Sequence, residues 1–269
     1  MKKPIAPIKI VFFDIDYTLY IKDEAHIPAS ITEQVLPRLK AKGIIPAIAT
    51  GRNYEGFPKA LKPLMNKDGF ELFVTINGQY NLYRGEQISA YRLSIPRIQQ
   101  VIEKLEKLGI KYAFVSRDDV AVSENDEIVW NATSPITPNY KVDPNFYLKD
   151  TTVQMLAYYS EERVQEVIDA GVLGSDLKAV RWNENAVDIL LKDNSKARGI
   201  QDVLNHFGFS IENAMAFGDG LNDVEMLENV GFGVAMGNAE PELKPLADFV
   251  TKDIREDGIL YALETLEVI

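Results

Sequence analysis

The 269-residue chain contains no cysteine and only two histidines, His26 and His206. Without cysteine it has no disulfide, thiolate nucleophile or cysteine metal ligand, and it fits a reducing, cytoplasmic environment. Two histidines are too few for a two-metal histidine site, the Arg-His-Gly signature of a histidine nucleophile is missing, and we assign neither histidine a role. The composition therefore excludes thiolate chemistry and disfavours histidine chemistry, and it leaves carboxylate chemistry open.

Long apolar runs and excess positive charge are also missing. No stretch approaches the roughly 18 uninterrupted apolar residues of a membrane span, and Pro4, Pro7, Asp14 and Asp16 interrupt any signal-peptide pattern. A net charge of -11 disfavours nucleic acid, whose phosphates attract Lys and Arg surfaces. We therefore expect a soluble cytoplasmic protein that acts on a small molecule and binds neither nucleic acid nor membrane; its oligomeric state stays open.

Strand-like apolar runs alternate with helix-like segments, the pattern of a mostly parallel sheet covered by helices. Ser30 and Glu33 form a Ser-x-x-Glu capping box that predicts a helix near 31–42, which Pro37 should kink or shorten. Ser195 is the expected N-cap of another helix. The predicted strands are residues 8–13, 44–50, 72–78, 214–219 and 231–237, and the later helices are residues 195–206 and 221–230.

The pattern changes between residues 82 and 192. An amphipathic helix is predicted at 97–109 and a short strand at IVWNA (128–132), followed by a long loop at 131–147 that is rich in Pro, Asn and aromatic residues. This region has no acidic or phosphate-binding cluster of its own. We predict an α/β fold in which residues 82–192 form an inserted α/β domain. Residues 1–81 and 193–269 form the other, catalytic domain.

Four of the predicted strands end in polar clusters. In open α/β sheets, ligands bind at the carboxyl ends of the strands, so clusters that are distant in sequence are expected to converge there. The four clusters are Asp14 with Asp16, Thr50–Arg52, Asn77 with Gly78, and Gly218–Asp223.

The acidic residues of these clusters predict a magnesium site. Asp14 and Asp16 are two residues apart on an extended chain and therefore face the same side. Close carboxylates raise each other's cost of ionisation and need a cation. Mg²⁺ prefers hard oxygen ligands and usually takes one or two carboxylates plus substrate phosphate. Asp219 and Asp223 supply the remaining acidic groups.

A phosphate group beside four carboxylates needs hydrogen-bond donors and a further positive charge. Thr50 and Gly51 offer a hydroxyl and backbone N–H groups at a turn. Lys196 offers its charge from the first turn of a helix, and Asn222 offers an amide. Arg52 is expected to form a salt bridge behind the turn rather than to act directly in catalysis.

These groups match phosphoryl transfer through a carboxylate nucleophile. Asp14 would attack phosphorus and form an aspartyl-phosphate, while Asp16 would protonate the leaving alkoxide and then accept a proton from the hydrolytic water. A sugar phosphomutase, which returns the phosphoryl group to a second hydroxyl, remains an alternative. So does a non-catalytic phosphate-binding or phospho-acceptor module.

The ordered motifs resemble the haloacid dehalogenase superfamily of phosphatases, and more narrowly its Cof-type members of subclass IIB. The superfamily motifs are D-x-D-x-T-L at 14–19, T-G-R at 50–52, the lysine at 196 and G-D-G-x-N-D at 218–223. The subgroup is matched by ATGR (49–52), ING (76–78), SKARGI (195–200), AMGNA (235–239), ADFVT (247–251) and EDGI (256–259). Single tetrapeptides are weak signals, whereas the ordered set is specific.

The resemblance implies a Rossmann-like three-layer core built from both ends of the chain, with an inserted α/β cap that selects the substrate. It implies a Mg²⁺-dependent phosphatase acting on small phosphorylated metabolites, such as sugar phosphates, flavin mononucleotide or pyridoxal phosphate. By the family's pattern, Asp14 is nucleophile and metal ligand, and Asp16 is acid and base with its backbone carbonyl on the metal. The other implied roles are metal binding by Asp219 and Asp223 and phosphate binding by Thr50, Gly51, Lys196 and Asn222. The sequence departs from the pattern at Tyr17, where these proteins usually carry glycine.

Overall fold

A computed structural model describes residues 2–269 of the chain. They form two compact units. The first comprises the described residues up to Arg52 together with Phe57–Ser89 and Ser195–Ile269, and the second comprises Asn53–Gly56 and Ala90–Asn194. Among residues 2–269, no helix has both the length and the apolar composition that a bilayer crossing requires.

Strands and helices alternate along the chain, as the sequence pattern predicts. The strands are β1 (Ile10–Phe13), β2 (Ile45–Ala49), β3 (Leu72–Thr75), β4 (Tyr80–Tyr83), β5 (Glu86–Ala90), β6 (Lys111–Val115), β7 (Val120–Val122), β8 (Lys141–Val142), β9 (Gln154–Tyr158), β10 (Leu177–Asn183), β11 (Ala186–Leu191), β12 (Ala214–Gly218), β13 (Phe232–Ala235) and β14 (Phe249–Val250). The helices are α1 (Leu36–Ala41), α2 (Ile95–Lys107), α3 (Glu127–Thr133), α4 (Val164–Asp169), α5 (Lys196–Phe207), α6 (Val224–Asn229) and α7 (Gly258–Thr265).

The first unit is built on an eight-stranded sheet in the order β14-β13-β12-β1-β2-β3-β4-β5. The strands from β14 to β3 pair in parallel, and β4 pairs antiparallel to β3. Helix α1 packs against β2, α5 against β3 and β4, and α6 against β12 and β13. This mixed α/β architecture confirms the predicted fold class.

Strand β1 sits at the middle of this sheet because its residues, IVFF, are apolar and fully buried, as parallel strands covered on both faces require. Its neighbours are β2, which follows it in sequence, and β12, which comes from the far end of the chain. Phe13 pairs in register with Ile48 on β2 and with Phe217 on β12. The three carboxyl ends are therefore aligned, and this alignment places the residues that follow each strand at one edge.

The second unit has a six-stranded sheet in the order β10-β11-β9-β6-β7-β8, antiparallel except for the β7–β8 pair. Its hydrophobic core is formed by one face of this sheet together with Ile98, Val101 and Leu105 of α2 and Val167 of α4. The i, i+3 and i+7 spacing of the α2 residues is the amphipathic pattern read from the sequence.

The unit boundaries differ from the predicted residues 82 and 193. The first lies between Ser89 and Ala90 and the second between Asn194 and Ser195, because β4 and β5 extend the sheet of the first unit beyond residue 82. The short segment Asn53–Gly56 also clusters with the second unit; its backbone is bonded there, with Tyr54 N–H donating to the Arg117 carbonyl (3.2 Å).

The capping box predicted at Ser30 is wrong. Ser30 is itself helical (φ -55°) and caps no backbone N–H; its hydroxyl instead donates to Asp257 Oδ1 at 2.6 Å. The segment begins as a π-helix, Ile31–Val35, and continues as α1, whose first turn contains Pro37. A capping serine normally has an extended backbone, and the helical backbone of Ser30 does not offer its side chain to the N–H groups of the first turn. Its hydroxyl is held by the long-range partner Asp257, which a local pattern cannot reveal. The N-cap at Ser195 is confirmed, since its side chain accepts from Arg198 N–H.

The strand predicted at IVWNA is also wrong, because these residues lie in α3. Asp126 caps this helix by accepting a hydrogen bond from Val129 N–H. Val129, Ala132 and Thr133 are buried on one face while Trp130 is exposed, so the burial follows a helical period. The region 131–147, predicted as a loop, contains the end of α3, strand β8 and a 3₁₀ turn at Phe146–Leu148.

We expect Gly199→Ala to destabilise the protein, although alanine normally favours a helix over glycine by about 1 kcal/mol. A Cβ at position 199 would lie 2.6 Å from Val74 Cγ1 and 2.7 Å from Gly78 Cα. Relieving this overlap should lower the free energy of unfolding by about 1–3 kcal/mol, measured by urea titration. Gln201→Ala, at an exposed position of α5, is the control and should change it by less than about 0.5 kcal/mol. A Gly199→Ala protein as stable as the wild type would contradict the close packing.

Candidate active site

One buried lysine joins two acidic residues from opposite ends of the chain. Lys196 Nζ lies 2.6 Å from Asp14 Oδ1 and 2.6 Å from Asp223 Oδ1. The three side chains are almost completely buried. Asp14 directly follows β1, Lys196 opens α5 and Asp223 lies in the turn after β12, so the aligned strand ends bring these groups together as predicted.

The carboxylate of Asp223 also shapes the turn that follows β12. Its Oδ2 accepts the backbone N–H groups of Asp219 (3.0 Å) and Gly220 (3.1 Å). Glycine is needed at position 218, because a Cβ there would lie 2.6 Å from Asp223 Cγ. Asp223 thus holds both Lys196 and the backbone that carries Asp219.

Asp219 completes a cluster of three carboxylates. Its Oδ1 accepts a hydrogen bond from the buried hydroxyl of Thr18 at 2.8 Å. One carboxylate oxygen from each of Asp14, Asp219 and Asp223 lies within 4.8 Å of the others. The threonine of the D-x-D-x-T-L motif therefore orients a carboxylate that lies 201 residues later in the chain.

Burial and mutual repulsion raise the pKa values of two of these carboxyls. The pKa of Asp14 rises to about 7, chiefly because of burial; Lys196 opposes the rise, and Asp223 and Asp16 add to it. The pKa of Asp219 rises to about 8 through burial and the nearby charges of Asp14 and Asp223. Burial alone would lower the pKa of Lys196, but its two carboxylate partners outweigh this and raise it.

The cluster fits a divalent cation. Asp14, Asp219 and Asp223 have one buried ammonium between them, so their ionised forms leave an excess of negative charge. Repulsion among these carboxylates adds to the effect of burial in raising the pKa values of Asp14 and Asp219. Hard oxygen donors from carboxylates suit Mg²⁺ better than softer metals. Asp14 and Asp219 are the best placed to hold such an ion, since both oxygens of Asp223 already accept hydrogen bonds.

Asp16 lies outside this cluster because Arg52 binds its carboxylate. Arg52 Nε donates to Asp16 Oδ2 and Arg52 Nη2 to Asp16 Oδ1, both at 2.7 Å. Burial alone would lower the pKa of Arg52, but the bond and charge of Asp16 raise it. The expected salt bridge of Arg52 is therefore present, and its partner is the predicted acid and base. If Asp16 contributes to metal binding, it would do so through its backbone carbonyl oxygen, as the resemblance implies.

Thr50 and Gly51 form a turn directly after β2, which is the neighbour of β1. Thr50 Oγ1 accepts the backbone N–H of Arg52 at 3.2 Å, and Thr50 N–H donates to the carbonyl of Val74 on β3. Because Arg52 of this turn binds Asp16, the turn lies beside the D-x-D segment. The turn is therefore close to Asp16, and phosphate binding by Thr50 and Gly51 stays a prediction.

Tyr17 occupies a tight turn between Asp16 and Thr18. Its backbone is left-handed, with φ +56°. Its N–H donates to the carbonyl of Tyr20, and its own carbonyl accepts from Asn238 Nδ2, both at 2.8 Å. Left-handed backbone is easiest for glycine, the residue that the resemblance leads us to expect at this position. The turn is kept here with a tyrosine whose side chain is partly exposed.

The structure gives roles to three residues that the sequence analysis named only as members of motifs or clusters. Thr18 bonds Asp219, Asn77 packs against Gly51, and Asn238 bonds the carbonyl of Tyr17. The motifs marked these positions, but the long-range partners could not be read from the sequence. Asn222 is exposed, and its side-chain oxygen lies close to Gly220 rather than in the buried cluster. Its role in phosphate binding stays a prediction.

Comparison with known proteins supplies the family. Residues 11–263 match the family of haloacid dehalogenase-like hydrolases. The chain is 36% identical over 260 residues to YkrA of Bacillus subtilis, provisionally named a phosphatase, covering 96% of this chain and 97% of YkrA. It is also 36% identical over 271 residues to a Streptococcus pyogenes protein provisionally named a bifunctional phosphatase and peptidyl-prolyl cis-trans isomerase. That match covers the whole of this chain, which spans 56% of the length of the streptococcal protein.

Two further matches have more specific names. YitU of Bacillus subtilis, a 5-amino-6-(5-phospho-D-ribitylamino)uracil phosphatase, is 29% identical over 264 residues, covering 93% of this chain and 94% of YitU. The solved structure of BT4131, described as a sugar phosphatase of haloacid dehalogenase subclass IIB, superimposes with a TM-score of 0.84 at 31% identity. It covers 97% of this chain and 100% of BT4131.

We expect the metal-free protein to lose thermal stability as the pH rises. Asp14 and Asp219 have pKa values of about 7 and about 8 in the folded protein, against an ordinary value of 3.8. Their protonated forms favour the folded state; this contribution is complete below about pH 4 and is lost as the pH rises through about 7 to 8. The melting temperature in EDTA should therefore fall between about pH 5.5 and about pH 8.5.

Added Mg²⁺ should raise the melting temperature more at the higher pH, because the ion binds the ionised carboxylates. Asp219→Asn should weaken both the pH dependence and the Mg²⁺ effect. Asp68→Asn, which changes an exposed carboxylate of the same unit, should leave both unchanged. An equal Mg²⁺ effect at the two pH values would contradict a cation site at these residues.

Proposed function

The chain belongs to the haloacid dehalogenase-like hydrolase family, and from that premise we propose that it is a Mg²⁺-dependent phosphatase of small phosphorylated metabolites. One observation carries the proposal: Asp14 and Asp223 share the buried ammonium of Lys196, with Asp219 beside them. This arrangement leaves a carboxylate oxygen of Asp14 outside the lysine bond. It also keeps a positive charge where a phosphate dianion would otherwise meet only acidic groups.

In the proposed first step, the carboxylate oxygen of Asp14 forms a bond to phosphorus while the bond from phosphorus to the leaving oxygen breaks. Asp16 gives its proton to the departing alkoxide. The product on the protein is an aspartyl-phosphate. Lys196 and the Thr50–Gly51 turn stabilise the negative charge of the transferring group.

In the second step, Asp16 is a carboxylate and accepts a proton from water, whose oxygen attacks phosphorus. The bond between phosphorus and Asp14 breaks, releasing inorganic phosphate and restoring the Asp14 carboxylate. Because Arg52 holds both oxygens of Asp16 in this structure, the acid form requires that Asp16 give up at least one of these bonds.

A divalent ion held by Asp14 and Asp219, with the backbone of Asp16, would neutralise charge on the phosphoryl oxygens. Asp223 supports this site indirectly, since it fixes the backbone of Asp219 and the ammonium of Lys196. Thr18 orients Asp219 through its hydroxyl. In the proposed reaction, Asp223 and Thr18 therefore support the residues that would hold the ion.

We propose sugar phosphates and phosphorylated cofactors, including flavin mononucleotide and pyridoxal phosphate, as the substrate class. The substrates named for YitU and BT4131 support this choice, since one carries a phosphoribityl chain and the other is a sugar phosphate. In this proposal the second unit selects the leaving group, and the enzyme acts in the cytoplasm.

A panel of these esters tests the proposal, with released phosphate measured in Mg²⁺ and in EDTA. We expect Mg²⁺-dependent release that Asp14→Asn lowers by on the order of 10³-fold or more. Asp16→Asn should lower it by about 10²–10⁴-fold, the range of general acid and base catalysis. Asp68→Asn is the control for an exposed carboxylate and should retain full activity.

The same assays separate the alternatives. Isomerised sugar phosphate without free phosphate would indicate a phosphomutase, and a stable phosphoprotein without turnover would indicate a phospho-acceptor module. Either outcome, or a folded protein that releases no phosphate from any ester, would overturn the proposal.

A further inference from the structure

Three consecutive residues behind the Thr50–Gly51 turn have left-handed backbones. Ile76, Asn77 and Gly78 have φ values of +52°, +53° and +83°. Ile76 is β-branched and completely buried, so its conformation is an outlier. Each such non-glycine residue costs on the order of 1–3 kcal/mol and persists only where surrounding contacts impose it. The contacts on both sides of this segment show what imposes it.

On one side, the segment is bonded to the proposed phosphate-binding turn. Asn77 N–H donates to the carbonyl of Thr50, and Ile76 N–H donates to the carbonyl of Arg52, both at 3.0 Å. The side-chain amide of Asn77 packs against Gly51, with Oδ1 3.1 Å from the point where a Cβ of Gly51 would lie. Every residue of the turn is therefore touched by Ile76 or Asn77.

On the other side, the segment lies against the start of α5. A Cβ on Gly78 would lie 2.3 Å from the Ser195 carbonyl oxygen and 3.1 Å from Gly199 N. No side chain fits in this space, so backbone meets backbone. Ser195 directly precedes Lys196, and the position of the lysine is thus set by the same contact.

We propose that Ile76–Gly78 fixes the distance between the phosphate-binding turn and Lys196, and that Asn77 is a positioning residue that acts through Gly51. This inference rests on the proposed function, and it assigns a role to Asn77, which is not one of the reacting groups. The donors of the turn and the lysine charge must reach the same phosphate. A displacement of about 1 Å between catalytic groups can lower activity by about 10²-fold.

Asn77→Gly is the sharpest test. Glycine adopts the left-handed backbone without steric cost, so the turn and the fold should be kept while the amide that packs on Gly51 is lost. We expect the affinity for inorganic phosphate in Mg²⁺, measured by calorimetry, to fall on the order of tenfold or more. KM for a hydrolysed ester should rise by a similar factor. Arg84→Gly is the matched control, since Arg84 is also left-handed (φ +52°) but lies in the exposed β4–β5 turn.

A double-mutant cycle tests whether Asn77 acts through Gly51. Gly51→Ala places a Cβ against the Asn77 amide and should weaken phosphate binding in the wild type. In the Asn77→Gly background that space is open, so Gly51→Ala should lower the phosphate affinity less than it does in the wild type. Additive effects, or a lower melting temperature with unchanged phosphate affinity, would assign Asn77 a purely structural role and overturn the inference.

Phosphate binding needs no turnover, which separates this inference from the proposed function. If the wild type binds phosphate, hydrolyses no ester and loses phosphate affinity on Asn77→Gly, the proposed function fails and the inference stands. If esters are hydrolysed but the variant keeps its phosphate affinity and KM, the inference fails and the function stands. A wild type that binds no phosphate in Mg²⁺ would overturn the inference, while the ester panel alone decides the proposed function.

Discussion

The ammonium of Lys196 lies 2.6 Å from one oxygen of Asp14 and 2.6 Å from one oxygen of Asp223, with all three groups buried. Taking such charges out of water is costly, and the cost is offset only when each group keeps a close partner of opposite sign. This contact joins the end of β1, the start of α5 and the turn after β12. The arrangement of the site therefore depends on it.

The cations near the site each hold particular carboxylates. Lys196 bonds Asp14 and Asp223, and Arg52 bonds Asp16. Among residues 2–269, the carboxylate of Asp219 is bonded by the hydroxyl of Thr18 and by no cation. The remaining negative charge is what a divalent ion would neutralise, and membership in the haloacid dehalogenase-like hydrolases agrees with such a site. The backbone also contributes, because left-handed residues hold two turns near the site, Tyr17 beside Asp16 and Ile76–Gly78 behind the Thr50–Gly51 turn.

The sequence was sufficient to predict the α/β fold, because apolar strand segments alternate with helical ones. It was also sufficient to predict that Asp14, Lys196, Asp219 and Asp223 lie together, because the ends of parallel strands align and the motifs keep their order. It was not sufficient where distant residues decide local structure. The hydroxyl of Ser30 binds Asp257 instead of capping a helix, and IVWNA follows the helical burial set by Asp126 and the core. The left-handed Ile76 contradicts every local preference of isoleucine, since close packing on both sides imposes it.

Trapping of the covalent intermediate tests the central claim most directly. The protein is mixed rapidly with a radiolabelled phosphate ester that it hydrolyses, quenched in acid and mapped by peptide analysis. The account predicts Mg²⁺-dependent label on Asp14 that decays by hydrolysis and is absent from Asp14→Asn. Turnover with no label on Asp14 at any time, or label on another residue, would contradict it.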